Sequence, residues 1–228
     1  MCVCLDNRLI DRFMNKINYD SEMKKIIGTF GSEKKTLLLH SCCGPCSTAV
    51  IEKLEPFFDL TVFYFNPNIT ESEEYNLRLN EQKRFLTEAY GGKIKIIDGR
   101  YKSVEFFEAA KGLEKEPEGG KRCEVCFALR LAETAKVAKD GGYEYFCSTL
   151  TVSPHKNAEL INAEGEKQSG IFGVKYLPND FKKENGYKRS VEISTEYGLY
   201  RQHYCGCIYS KYASLPGLEE GEESEGEK

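Results

Sequence analysis

The chain of 228 residues has no tryptophan and only three methionines and seven prolines, and no apolar run approaches the roughly 18 residues of a membrane span. Its first residues, MCVCLDNRLIDRFMNK, lack the basic stretch and long apolar segment of an export signal, so a cytoplasmic protein without a membrane partner is expected. There is no internal repeat and no convincing linker before residue 217. The missing tryptophan is offset by 14 tyrosines and 13 phenylalanines, aromatic mass enough for an ordinary core in a chain of this length.

A strong charge of either sign is also missing from the body. The net charge of −4 arises in residues 217–228, GLEEGEESEGEK, which hold six glutamates and one lysine and leave the remainder near +1. That block reads as an acidic, solvated, disordered tail. A near-neutral body neither requires nor excludes a nucleic-acid partner, because basic stretches such as KGLEKEPEGGKR and FKKENGYKR can still meet phosphate.

What the chain does have is cysteine, ten in all. In a reducing cytosol so many thiols in one domain point to metal ligation or redox chemistry rather than to a disulfide framework. Seven fall into three tight groups: Cys42, Cys43 and Cys46 in HSCCGPCS; Cys123 and Cys126 in KRCEVC; Cys205 and Cys207 in HYCGCIYS. Close spacing lets one short turn aim two thiolates at a single centre. Cys2 and Cys4 sit at the terminus and Cys147 inside an apolar strand, so those three receive no role.

The spacing of apolar residues predicts a helix within 7–30, on the face made by Leu9, Ile10, Phe13, Met14 and Ile17. Strands are expected at 36–39, 60–65, 93–97 and 143–150, with a short final one in FGVKYL. Helices are expected at 48–54, 71–90, 103–111, from Cys123 through the face of Phe127, Leu131, Ala135 and Ala138, over KNAELINAEGEKQSG, and at 187–199. This alternation implies an α/β parallel sheet with helices on both faces, whose functional loops gather at the carboxyl ends of the strands. HSCCGPC and STLTVSP both follow strands and would converge there. The expected organisation is an N-terminal helical extension over 1–30, one catalytic domain over 31–216 and the acidic tail.

Seven thiols exceed what one tetrahedral zinc can use, and a four-cysteine iron-sulfur cluster leaves three over, two of them in CGC. A CxC pair closes a small strained disulfide of the labile, catalytic kind, so a cluster beside a separate redox pair is the favoured arithmetic. Two other classes stay open on the residues alone. A zinc-binding interaction module is one; a thiol-disulfide oxidoreductase, suggested by CGPC at 43–46, is the other.

Taken in order, LLLHSCCGPCS, FYFNPNI, EYNLRLNEQKRF, EGGKRCEVCFALRL, STLTVSPHKNAELIN and GLYRQHYCGCIYS resemble the epoxyqueuosine reductases of the QueH family, from about Lys35 to Ser210. The resemblance implies an iron-sulfur oxidoreductase of queuosine biosynthesis that removes the epoxide oxygen of epoxyqueuosine at the tRNA wobble position as water, giving queuosine. It implies a 4Fe-4S cluster on Cys42, Cys43, Cys123 and Cys126, a redox-active Cys205–Cys207 disulfide pair, and no cobalamin. A mononuclear iron is also implied, with Cys46 as the spare thiol to help hold it. The fold implied is Rossmann-like, of the HUP type, with CCGPC where relatives carry a phosphate loop; because CCGPC lacks the glycine-rich, serine-bearing pattern that cradles pyrophosphate, no ATP is expected.

Reductive epoxide opening needs two electrons and a proton for the departing oxygen, and so an external electron donor to recharge the enzyme. Candidate proton donors are His203, Tyr204 and Asp180; His40 reads as a backbone-bonding residue and His155 as loop surface. For the anticodon loop, Lys182, Lys183, Lys188, Arg189 and Arg201 can meet phosphates, and Tyr200 or Tyr204 can stack on a base.

Overall fold

The protein is described by a computed structural model covering residues 17–213. The first element among the described residues, α1 (Tyr19–Ile27), is capped by the Asn18 side chain, which accepts from Ser21 N. Leu9, Ile10, Phe13 and Met14, like Cys2, Cys4 and the acidic tail, lie outside the described residues. Ile17 is exposed, while Met23 is fully buried and belongs to the main core.

Three consecutive leucines, Leu37 to Leu39, are fully buried and make β1 (Lys35–His40) the central strand. It pairs in parallel with β2 (Phe58–Tyr64) on one side and β4 (Tyr145–Ser148) on the other. The outer strands are β3 (Lys95–Asp98) beside β2 and the two-residue β5 (Lys175–Tyr176) beside β4, giving the all-parallel order β3-β2-β1-β4-β5. This is the doubly wound order, whose crevice opens where the crossovers reverse, between β1 and β4.

Between the strands run α2 (Gly44–Leu54), α3 (Ser72–Tyr90), α4 (Ser103–Ala109), α5 (Lys121–Asp140), α6 (Ala158–Phe172), α7 (Gly186–Glu196) and α8 (Ile208–Ala213). They form two layers: α2 packs on α7 and α3, and α5 packs on α6, β1 and β4. Phe127, Leu131, Ala135 and Ala138 are the buried stripe of α5, as their helical spacing requires. The long α3 stops at Gly91, which takes the left-handed conformation (φ 60°) that glycine adopts without a Cβ penalty.

Several boundaries differ from the sequence expectation, three of them for a visible reason. The second helix begins at Gly44 rather than 48, because Pro45 suits the first helical turn, where no backbone donor is needed. The fourth strand ends at Ser148, whose side chain accepts from Leu150 N and turns the chain into a 3-10 segment, Thr149–Val152. The helix expected over KNAELINAEGEKQSG begins at Ala158 rather than Lys156, because the Asn157 side chain caps it by accepting from Glu159 N and Leu160 N. No described helix is long and apolar enough to cross a membrane.

Candidate metal and redox centre

The loop after β1 carries the first thiol group. Ser41 continues the ladder through its N–H to Phe63 O (2.9 Å), and Asn66 Nδ2 donates to Ser41 O (2.8 Å). Cys43 then stands as the N-cap of α2, with Cys46 in the first turn. The Sγ atoms of Cys42, Cys43 and Cys46 all lie within 4.8 Å of one another. From the 3-10 segment after β4, Thr149 accepts from Cys42 N (3.2 Å) and donates to Cys42 Sγ (3.4 Å), so the loops after β1 and β4 are tied at the first cysteine. Cys123 and Cys126 sit in the first two turns of α5, and Gly119 N donates to Cys123 Sγ (3.2 Å). Both groups therefore occupy helix starts.

The third group lies between α7 and α8. Cys205 and Cys207 have their Sγ atoms 3.6 Å apart; Cys205 N donates to Ser210 Oγ (3.1 Å) and Ser210 N donates to Cys207 Sγ (3.3 Å). The three groups meet. One cavity of about 60 Å³ is lined by Cys42, Cys46, Cys123, Cys126, Cys205 and Cys207, with Cys43 fully buried beside Cys42. All eight cysteines of the described residues are free thiols. Cys147 is the exception to the gathering: it is fully buried within β4, and burial alone raises its thiol.

The thiols are electrostatically unequal. Hydrogen bonds from Cys43 and Cys46 hold Cys42 well below the ordinary thiol range, and the same contacts leave Cys43 raised to about 12 and Cys46 raised well above normal. In the second pair, the hydrogen bond from Cys207 holds Cys205 well below its ordinary value, while Cys207 is raised by that contact and by burial. Burial raises Cys126 to about 11, against the pull of Arg130. Lys156, Arg122 and Arg130 also line the cavity. Burial opposes the charge of Lys156, but the attraction of Cys42, Cys46 and Cys205 outweighs it and leaves the ammonium above its ordinary value.

A wider cleft of about 540 Å³ opens beside the cavity and shares Cys46, Cys205, Lys156 and Gln202 with it. Arg201, His203 and Tyr204 line this cleft. Lys182 and Lys183 face instead a separate hollow of about 450 Å³ with Asp180, and Lys182 is paired to Asp180 at 2.9 Å. Lys156 borders all three spaces. Arg189 is committed to both oxygens of Glu52 (2.9 and 2.7 Å), and Lys188 lies 4.0 Å from Glu192. Tyr200 donates to Glu74 (3.2 Å). His40 is fully buried, with Nδ1 at 2.8 Å from Ser148 Oγ and Nε2 at 3.0 Å from Phe65 O, whereas His155 and His203 are exposed.

Sequence reasoning assigned no role to Lys156, Arg122, Arg130 or Gln202. Lys156 and Arg130 were within reach, since they lie in STLTVSPHKNAELIN and KRCEVCFALRL beside two of the motifs; Gln202 had no signal of its own.

The family model for epoxyqueuosine reductase QueH matches residues 37–213. The curated epoxyqueuosine reductase QueH of Staphylococcus epidermidis is 44% identical over 212 residues, covering 90% of this chain and 89% of that protein. That of Streptococcus pyogenes serotype M1 is 44% identical over 209 residues (90% and 81%), and that of Thermotoga maritima 35% over 178 residues (77% and 90%). Among solved structures, the U34-tRNA thiolase NcsA from Methanococcus maripaludis with its [4Fe-4S] cluster is 15% identical with a TM-score of 0.48, covering 84% of this chain and 67% of that one. The matched span holds all three thiol groups and both loops that bring them together, and on this evidence the chain belongs to the epoxyqueuosine reductase QueH family.

Proposed function

We propose that this chain removes the epoxide oxygen of epoxyqueuosine, carried at the wobble position of a tRNA anticodon loop, to leave the alkene of queuosine and water. The observation that carries the reading is the single cavity where three cysteine groups from distant parts of the chain meet, beside a cleft large enough for a nucleoside. A thiol-disulfide oxidoreductase or a zinc-bound module is not favoured, because the family match takes in all three groups together.

A 4Fe-4S cluster suits the donor set. Thiolate is its ligand, all eight cysteines of the described residues are free, and the cations of Lys156 and Arg130 at the cavity wall suit an anionic cysteinyl centre. In this reading Cys42, Cys43, Cys123 and Cys126 would hold the cluster, and Cys46, third member of the first group, would help hold a mononuclear iron. When bound, such a cluster supplies electrons one at a time.

Cys205 and Cys207 store two electrons as a dithiol. Joining their sulfurs releases two electrons and two protons; opening the epoxide to an alkene consumes two of each, and the oxygen departs as water. The pair is polarised for this, with Cys205 inclined to thiolate and Cys207 keeping its proton. An external donor then restores the dithiol. Tyr204 and Arg201, on the cleft wall, would seat the base and a phosphate, while Lys182 and Lys183 would meet the backbone further out. Of the proton donors suggested by sequence, His203 and Tyr204 border the cleft and Asp180 does not.

The test is anaerobic purification followed by iron and acid-labile sulfide analysis and incubation with dithionite and epoxyqueuosine-containing tRNA. Iron with sulfide, and a modified nucleoside lighter by one oxygen, are expected. Zinc without sulfide, or an unchanged nucleoside, overturns the proposal.

A further inference from the structure

Arg78 is one of the largest fully buried side chains of the molecule, yet it is far in sequence from every cysteine. It projects from α3 to the loop that carries Cys205 and Cys207. Its Nε donates to Glu74 Oε1 (2.7 Å), one turn back on the same helix, and its Nη1 donates to Cys205 O (3.2 Å). The same carbonyl accepts a second hydrogen bond from Asn68 Nδ2 (3.3 Å), and the next carbonyl, Gly206 O, accepts from Thr70 N (3.2 Å). The redox loop thus hangs from the NPN turn and α3 by its backbone, leaving its side chains free of those ties.

The local backbone fits this reading. Gly206 has φ 115°, in the region that excludes a side chain, and a Cβ there would stand 2.8 Å from Ile69 Cγ1 and 3.2 Å from Arg78 Nη1. Tyr204 lies against the guanidinium, with Arg78 Cζ 5.2 Å from its ring centroid, and Tyr200 donates to Glu74. One buried ion pair therefore reaches the thiol loop and two aromatic rings beside it.

We propose that Arg78 is a positioning residue for the Cys205–Cys207 pair. By fixing the Cys205 carbonyl it confines the redox cycle to side-chain movement. The sulfurs need to approach by about 1.5 Å to reach bonding distance, with two electrons and two protons leaving for the epoxide. A held loop has little conformational freedom left to lose when the ring closes, so the disulfide forms more readily than in a loose one. Lysine is not an equivalent, because its single ammonium lacks the planar fork that meets Glu74 and the carbonyl at once.

This inference rests on the redox-pair reading, and the experiment separates the two. Full-length protein is purified anaerobically as wild type, Arg78→Lys, Asn68→Ala and Cys205→Ser. The dithiol-disulfide equilibrium of the pair is measured in dithiothreitol buffers by acid quench, alkylation and mass spectrometry, alongside iron content, melting temperature and epoxide turnover. Arg78→Lys is expected to keep its iron and to shift the equilibrium toward the dithiol by about tenfold, with a smaller shift of the same sign in Asn68→Ala. Equilibria within about twofold of wild type in both variants overturn the assignment. If Arg78→Lys does not fold, Asn68→Ala decides alone, since it removes one hydrogen bond to the same carbonyl and leaves the ion pair intact. Full turnover by Cys205→Ser overturns the redox-pair reading itself, and a pair that cycles in wild type but ignores both substitutions overturns only the role of Arg78.

Discussion

Cys205 and Cys207 stand two residues apart and depart from an ordinary thiol in opposite directions, because their sulfurs share one hydrogen bond and only one of them can carry the charge. In reduced, metal-free protein at neutral pH, Cys205 should therefore be alkylated by iodoacetamide well ahead of Cys207, and Cys147 should react only on unfolding; peptide mass mapping over a time course reads the order. Replacing Lys156 by methionine should slow labelling of Cys205, because its thiolate loses a nearby cation. Cys123→Ser should bleach visible absorption and lower acid-labile sulfide, whereas Cys147→Ala should leave both unchanged and cost about 1–2 kcal/mol of stability by the small void it opens in β4. A fully coloured Cys123→Ser protein would contradict the ligand assignment. The three thiol groups were legible as residues, since CCxxC, CxxC and CxC spacing is visible by inspection. The basic residues around them were not, because nothing local distinguishes Lys156 from a solvated surface lysine.

At the scale of elements, α1 is fastened to the domain by Asp20, which is buried and accepts from Lys53 of α2 (2.6 Å) with Lys24 at 2.9 Å. Burial works against its ionisation, but the hydrogen bonds from the two lysines outweigh it and hold the carboxyl below its ordinary value. A depressed carboxyl stabilises the fold above the unfolded pKa of about 4 and loses that contribution as pH falls through the folded value. Asp20→Asn should accordingly lower stability at pH 7 by about 1–2 kcal/mol and flatten the acid limb of a urea-midpoint series below about pH 4. The two central strands and the helices α3 and α5 were plain in the sequence, being long or wholly apolar. The short β5 and the 3-10 turn after β4 were not, because two residues carry no period and Ser148 turns the chain through a side-chain hydrogen bond.

For the molecule as a whole, the sheet order carries the site: β1 and β4 are neighbours although about a hundred residues separate them, and the loops that follow them meet at Cys42 and Thr149. Parallel alternation made that convergence foreseeable, while the hanging of the CGC loop from α3 depends on a side chain, Arg78, whose burial only tertiary packing reveals. On the proposed ligand set, metal that bridges cysteines of the loop after β1 and of α5 binds the folded state alone, so chelation should lower the melting temperature and reconstitution should restore it, as differential scanning fluorimetry under argon would show. On the substrate side, Lys182→Glu with Lys183→Glu should weaken tRNA binding and flatten its salt dependence while iron content holds; an unchanged salt slope would remove those lysines from the interface.

The crowding of six sulfurs around one small void also sets how such a protein ages outside an anaerobic chamber. Once stripped of iron in air, neighbouring thiols have many possible partners rather than one, so wrong crosslinks compete with the Cys205–Cys207 bond. Preparations exposed to oxygen should become mixtures that a reductant must clear before any iron can be put back.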